Sequence, residues 1–376
     1  MTETESPTES QTGPPLTIGV VKETKPGERR VALVPKLIER LARRGLKIVV
    51  EPGAGEGAQL ADGLFTEAGA TTGDAWSADI VLTVVPPSVS DIERLKPGTV
   101  LIGFLAPLTN KAEVAAMQKA GVTAFAVESI PRISRAQAMD ALSSQANVAG
   151  YRAVLLAAQR LPKFFPMLTT AAGTVPPAKA LVLGVGVAGL QALATAKRLG
   201  AQATGYDVRP EVAEQVRSVG AQWLDLGISA AGEGGYAREL TEEERADQQR
   251  RLTEAIGGFD VVITTALVPG RKAPTLVTAE AVRGMKPGSV IVDMAGETGG
   301  NCELTEPGED IVVGDVTISS PLNLPAEMPV HASELYARNL TELLELIVDG
   351  EGRLAVDFSD EVVAGACVAG RDEEVN

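Results

Sequence analysis

Gly184-Val185-Gly186-Val187-Ala188-Gly189 places three glycines where a phosphate-binding turn needs them. An apolar run, 180–183, precedes them, and a helical pattern, 190–199, follows and stops at Gly200. Gly184 permits the sharp turn, Gly186 lets a pyrophosphate approach the backbone, and Gly189 lets helix and strand pack closely. The free N–H groups at the helix start supply local positive potential. Asp207 closes the next strand pattern, where a carboxylate accepts hydrogen bonds from an adenosine ribose and repels a 2′-phosphate. The reading is a nicotinamide dinucleotide, NAD(H) before NADP(H). Arg209, two residues on, keeps a 2′-phosphate as the alternative. A glycine-rich helix–strand contact without ligand is the competing structural reading.

A second constellation lies at 131–145, Pro-Arg-Ile-Ser-Arg-Ala-Gln-Ala-Met-Asp-Ala-Leu-Ser-Ser-Gln, unusually polar for the start of an apolar helix. Ser134 and Gln137 match a capping box. On a helix, Gln137, Asp140 and Ser144 recur at three and four residues, with Ser143 beside them, so they share one face. Amide, carboxylate and hydroxyl led by Arg132 suit a carboxamide and a ribose. A plain solvated face is the alternative.

Two α/β series must position these groups. The first has expected strands at 16–21, 46–51, 79–85, 99–104 and 122–126, with helices at 34–44 and 110–120. The second has strands at 180–183, 202–206, 260–266, 289–294 and 311–313. The fold class is therefore α/β, two Rossmann-like domains with mostly parallel sheets flanked by helices. Ala78-Asp79-Ile80-Val81-Leu82-Thr83 echoes Phe259-Asp260-Val261-Val262-Ile263-Thr264, and each is followed by a Lys-Pro-Gly turn, at 96–98 and 286–288. Duplication and chance compete for that echo. Long helices are expected at 135–161 and 332–348, so the chain crosses between domains twice around a cleft. The expected division is a disordered leader at 1–15, a first domain at 16–143 completed by 322–376, and a dinucleotide domain at 144–321.

Composition agrees. With 376 residues, 45% apolar and only 3% aromatic, two alanine- and valine-rich parallel sheets are favoured over an aromatic sandwich. A net charge of −15 argues against nucleic acid or an anionic membrane surface as partner. His331 is the only histidine, so a poly-histidine metal site is excluded and no metal is expected. Its place at a helix entrance suits a structural or solvent-facing role better than a catalytic one. Cys302 and Cys367 form no C-x-x-C pair, so a reducing compartment is the simpler reading, with one disulfide as the alternative. The apolar stretch 180–196 is interrupted by glycines and Gln191, and reads as strand, turn and helix rather than a membrane span. The leader lacks the basic and apolar regions of an export signal. The chain reads as soluble.

The segments 132–151, 170–177, 184–199, 264–269 and 299–302 resemble the NAD(H)-binding component, domain I, of proton-translocating NAD(P) transhydrogenases. Arg-Ile-Ser-Arg-Ala-Gln-x-Met-Asp is the most specific of these motifs. Lys22-Glu23 with Glu28-Arg29-Arg30-Val31-Ala32-Leu33 is similar to the opening of both that family and the related alanine dehydrogenases. The resemblance implies that Arg132, Gln137, Asp140 and Ser143 surround the nicotinamide and hydride-transfer site, with Ile133 and Ser134 beside them. It implies that Val187, Ala188, Asp207, Val208 and Arg209 contact the adenosine half, and that Gly235, Gln248 and Leu267 are further cofactor contacts. Tyr236 would belong to a loop closing over the cofactor; the Gly-, Ala- and Ser-rich stretch 227–235 also reads, by itself, as either a lid or an ordinary surface loop.

The implied reaction is hydride transfer from NADH held here to NADP⁺ held by a partner subunit, so no side chain need act as acid or base. The implied partners are membrane-spanning transhydrogenase subunits, including the NADP(H)-binding one, and a second copy in a homodimer. The chain would dock on their cytoplasmic face without inserting into the membrane. An alanine dehydrogenase needs a proton-handling histidine and a cation for the substrate carboxylate. The comparable places read Thr83-Val84-Val85-Pro86-Pro87 and Gly103-Phe104-Leu105-Ala106-Pro107, with neither.

Overall fold

The computed structural model describes residues 14–227, 241–268 and 270–371. Two compact units emerge, one made of Met1–Leu142 with Pro329–Asn376 and the other of Ser143–Met328. The first opens with β1 (Thr17–Val20), α1 (Pro35–Ala42), β2 (Lys47–Val50), α2 (Asp62–Glu67) and β3 (Thr71–Thr72). It continues through β4 (Ile80–Leu82), α3 (Val89–Ile92), β5 (Val100–Gly103), α4 (Lys111–Lys119) and β6 (Thr123–Ala126). Helix α5 (Ala141–Arg160) leads to a hairpin, β7 (Leu168–Thr170) and β8 (Gly173–Val175). The second sheet then forms from β9 (Lys179–Leu183), α6 (Val187–Arg198), β10 (Gln202–Tyr206), α7 (Ala213–Ser218), β11 (Gln222–Trp223) and α8 (Glu242–Ile256). It is completed by β12 (Val261–Thr264), α9 (Ala279–Arg283), β13 (Val290–Asp293), β14 (Asp310–Val313) and β15 (Val316–Ser319). The chain returns to the first unit with α10 (Pro329–Ile347), α11 (Glu361–Ala366) and β16 (Cys367–Ala369).

The two sheets share one plan. Their orders are β3-β2-β1-β4-β5-β6-β16 and β11-β10-β9-β12-β13-β15-β14, parallel except for the last strand of each. Side-chain alternation sorts both faces into cores. In the first sheet Ile18, Val20, Ile80, Leu82, Val100, Ile102 and Phe125 pack with α1 and α10, while Val81, Leu101, Ala124 and Ala126 pack on the other face with Trp76 and Met117. Each large side chain so buried is worth roughly 1.5–3 kcal/mol. Helices on both faces explain why the strands read as nearly continuous apolar runs.

The internal echo has a structural counterpart. Asp79 accepts from the Thr17 N–H at 2.7 Å, and Asp260 accepts from the Lys179 N–H at 2.9 Å, each pinning the first residue of the central strand. Gly98 and Gly288 hold left-handed conformations, with φ of 85° and 77°, in the matching Lys-Pro-Gly turns.

Three expectations change. The helix expected from 135 is broken, because Ser134–Met139 is a 3-10 turn and Asp140, with ψ of 84°, separates it from α5. The Ser134–Gln137 capping box does not form; Ile133 occupies the cap position, with no side-chain cap bond. The 310–313 strand is one arm of an antiparallel hairpin whose other arm, β15, carries the parallel pairing to β13. The short elements α2, β3, α3, α7, β11, α9, α11, β16 and the β7–β8 hairpin fall below the length at which periodicity is read. Both cysteines are free, Cys302 buried and Cys367 half-buried. No helix among the described residues is long and apolar enough to cross a membrane. No cluster of metal-ligating side chains occurs among them.

Candidate functional site

All five residues of β9 precede a turn that only glycine can make. Gly184 has φ of 92°, and its N–H donates to the Tyr206 carbonyl at 2.9 Å. A Cβ there would stand 2.9 Å from Thr265 Oγ1, whose hydroxyl donates to the Gly184 carbonyl at 2.8 Å. A Cβ on Gly189 would stand 2.0 Å from that same carbonyl oxygen, so α6 seats on the turn only because this residue lacks a side chain. Gly186 differs. It is exposed, caps α6 without a side-chain bond, and a Cβ there would meet no atom within 4 Å. With no side chain capping α6 and a bare Gly186 backbone beside it, the first-turn N–H groups of Val187 and Ala188 are left to a ligand or to water. This is the cradle an anionic diphosphate requires.

Gly150, in α5, was not singled out in the sequence, yet a Cβ there would stand 2.1 Å from the Ala188 carbonyl oxygen. A glycine inside an alanine-rich helix was the available signal.

Asp207 follows β10 and is buried. Its Oδ2 accepts from the Val185 N–H at 2.8 Å, linking it to the glycine turn, and its Oδ1 accepts from the Arg209 N–H at 2.9 Å. The Arg209 guanidinium grips both oxygens, Nε to Oδ1 and Nη2 to Oδ2, each at 3.0 Å. Burial pushes the Asp207 carboxyl up, but the guanidinium and the two N–H donors outweigh it and hold the group below the usual carboxylate range. Val208 is half-buried between them.

Behind this edge, Gln248 of α8 is buried and its Nε2 donates to the Tyr206 hydroxyl at 2.6 Å. Leu267 lies exposed in the loop after β12. Asn301 fixes that loop from below, accepting from the Ala266 N–H at 3.0 Å and donating to the Ala266 and Pro274 carbonyls at 2.9 and 2.8 Å. Asp293, fully buried, accepts from the Thr264 and Thr305 hydroxyls and the Ala295 and Cys302 N–H groups. The sequence flagged 299–302 only by resemblance; its positioning role required the structure. Gly235 and Tyr236 lie outside the described residues.

The Arg132–Gln137 stretch belongs to the first unit. Ala136 and Met139, three apart on the 3-10 turn, are buried in the core with Tyr336 and Leu340 of α10, and Asn339 donates to the Ala138 carbonyl at 2.7 Å. Arg135 forms a two-pronged pair with Asp360, at 2.9 and 2.8 Å. That anchorage leaves Arg132, Ser134 and Gln137 exposed, with Ile133 and Asp140 half-buried. The polar ridge is thus made by 3-10 spacing and not by an α-helical face. Ser143 and Ser144 sit half-buried in the first turn of α5, across the break at Asp140. His331 is exposed in the first turn of α10.

At the carboxyl ends of the first sheet, carboxylates take the strand-end N–H groups. Glu23 accepts from the Val84 N–H, and Glu128 from those of Leu105 and Ala106. Burial pushes the Glu23 carboxyl up to about 7 and raises that of Glu128. Arg30 is buried and paired with Glu28, Nη2 to Oε2 at 2.7 Å.

Comparison with known proteins extends over both units. Residues 19–149 match the alanine dehydrogenase/PNT N-terminal domain and residues 153–376 the C-terminal domain of the same family. An NAD(P) transhydrogenase alpha-subunit chain of Rhodospirillum rubrum is 46% identical, over 94% of this chain and 96% of its own length. The crystal structure of transhydrogenase from Sinorhizobium meliloti superposes with a TM-score of 0.85 at 45% identity, covering 94% of this chain and 98% of the other. Alanine dehydrogenase of Mycolicibacterium smegmatis is more distant, 30% identical over 93% of this chain and 92% of its own. The chain therefore belongs to the alanine dehydrogenase/PNT family, on the branch of the NAD(P) transhydrogenase alpha subunits.

Proposed function

We propose that this chain is the NAD(H)-binding subunit of a proton-translocating transhydrogenase, working with NADP(H) held on a partner subunit. One observation carries the reading: the open cradle at Gly186 and α6, closed by the buried Asp207 at the neighbouring strand end. NAD(H), when bound, supplies the hydride chemistry itself. The chain supplies position. N–H groups of Val187, Ala188 and Gly189 hold the pyrophosphate on the positive end of α6, and Gly184 and Gly186 keep the approach clear. Asp207 accepts from the adenosine ribose, flanked by Val208 and Arg209, with Leu267 covering from the loop after β12. Gln248 acts at one remove, by fixing Tyr206 beneath that edge.

Arg132, Gln137, Asp140 and Ser143 orient the nicotinamide end, with Ile133 and Ser134 setting the turn that presents them. None is required to move a proton, which agrees with the exposed position of the single histidine. The alanine dehydrogenase reading is disfavoured at the first sheet. The strand-end N–H groups available to a substrate carboxylate there are filled by Glu23 and Glu128, and Arg30 is paired with Glu28. The chain docks on the cytoplasmic face of membrane-spanning partner subunits, without inserting, and works as a homodimer.

The test mixes the purified chain with its candidate NADP(H)-binding partner and follows hydride exchange between NADH and an NADP⁺ analogue. Exchange that needs both polypeptides is expected. Turnover of NADH with pyruvate and ammonia by this chain alone would sink the proposal.

A further inference from the structure

Every acceptor site on Asp207 is taken from within the chain. Two carboxylate oxygens offer about four lone-pair sites. The Val185 and Arg209 N–H groups use two, and the Arg209 guanidinium uses the others. The backbone donors belong to the strand ends and stay. The guanidinium sits on a long side chain with 30% of its surface exposed, so it can leave without unfolding anything.

We propose that Arg209 is a specificity latch whose guanidinium occupies the ribose seat on Asp207 and must swing off for an adenosine ribose to bind. The proposal rests on the dinucleotide reading of the glycine turn. A 2′,3′-diol brings two hydroxyl donors, which replace the guanidinium's two donors one for one. A 2′-phosphate brings negative charge and acceptors, so Asp207 repels it. Arg209, a cation that could hold such a phosphate, is also withheld, because Asp207 keeps it. The ion pair therefore discriminates twice: by repulsion, and by sequestering the residue that would otherwise favour NADP(H). Arg209, which in the sequence pointed toward a 2′-phosphate, serves NAD(H) selectivity as long as Asp207 is charged.

The experiment titrates the full chain separately with NADH and NADPH, by cofactor fluorescence. Asp207→Asn keeps an oxygen for the Val185 N–H but turns a donor toward the guanidinium and releases it. NADPH should then bind about tenfold tighter than to the unsubstituted chain, and NADH about tenfold weaker. Adding Arg209→Gln to that variant must abolish the NADPH gain. Arg209→Gln alone should tighten NADH by about threefold, since the ribose no longer displaces a charged donor pair. The latch is overturned by an NADPH gain that survives the second substitution, by no gain in Asp207→Asn, or by unchanged or weaker NADH binding in Arg209→Gln. If Asp207→Asn fails to fold, the Arg209→Gln titration decides alone. A native chain that binds neither cofactor would strike the dinucleotide reading itself, a separate failure.

Discussion

At the carboxyl end of β9 the chain makes a bare turn. Gly184 is left-handed, Gly186 is open, and no side chain caps the start of α6. At the carboxyl end of β1, the corresponding strand of the other sheet, it does the reverse. Glu23 follows directly and turns back onto the end of β4, while Glu128 turns back from β6 onto the end of β5. Both central strands lie where the strand order reverses, the place at which open α/β sheets take ligands. Topology provides the crevice but does not decide its use. The uncapped start of α6 leaves room for a ligand, whereas the N–H groups answered by Glu23 and Glu128 tie strand-end loops together; Asp207 does the same within the ligand site, bonding the Val185 N–H.

The comparison can be broken first at the buried Arg30–Glu28 pair. Arg30→Ala strips a fully buried carboxylate of its guanidinium, and should destabilise the protein by about 3–5 kcal/mol in chemical denaturation. A loss under 1 kcal/mol would mean that water takes the place of the guanidinium on Glu28.

Next come two glycines of one motif. Gly189→Ala drives a Cβ to 2.0 Å from the Gly184 carbonyl and should cost about 3 kcal/mol, whereas Gly186→Ala should change stability by less than about 0.5 kcal/mol. Gly186→Ala should instead weaken NADH binding about tenfold, because its methyl enters the diphosphate's approach. Equal stability losses in the two variants would remove the distinction between packing glycine and ligand glycine.

The finest comparison is in pH. Glu23 holds its proton more tightly folded than unfolded, so its contribution is complete below the ordinary carboxyl range and is lost as pH rises to about 7. The difference in unfolding free energy between the native chain and Glu23→Gln should change by up to about 3 kcal/mol across that window, then level off above it. A difference that is flat between pH 4.5 and 7 would mean that water solvates the Glu23 carboxylate despite its half-buried position.

Much of the fold was legible because its signals are local. Apolar runs of strand length, glycines after them and proline turns depend on neighbours only, so most central strands fall within a few residues of expectation. The Asp79/Asp260 echo proved a matched pair of strand-end acceptors. The site was less legible where one residue had two futures. Ser134 and Gln137 fit a capping box and a solvent ridge equally well, and the packing of Ala136 and Met139 against α10 chose the ridge. Arg209 fit a phosphate reader until its bidentate grip on Asp207 was seen.

By itself, then, the amino-acid order determined the glycine turn, the acidic strand end and the two-sheet plan, because φ freedom, side-chain size and period-two burial are properties of short stretches. Tertiary structure decided which donors stayed open. Glu23 finds Val84, Glu128 finds Leu105, and Asn301 finds Ala266 across stretches of chain that no periodicity spans. Hydrogen-bond satisfaction in a buried site is settled only once those distant groups share the same few ångströms.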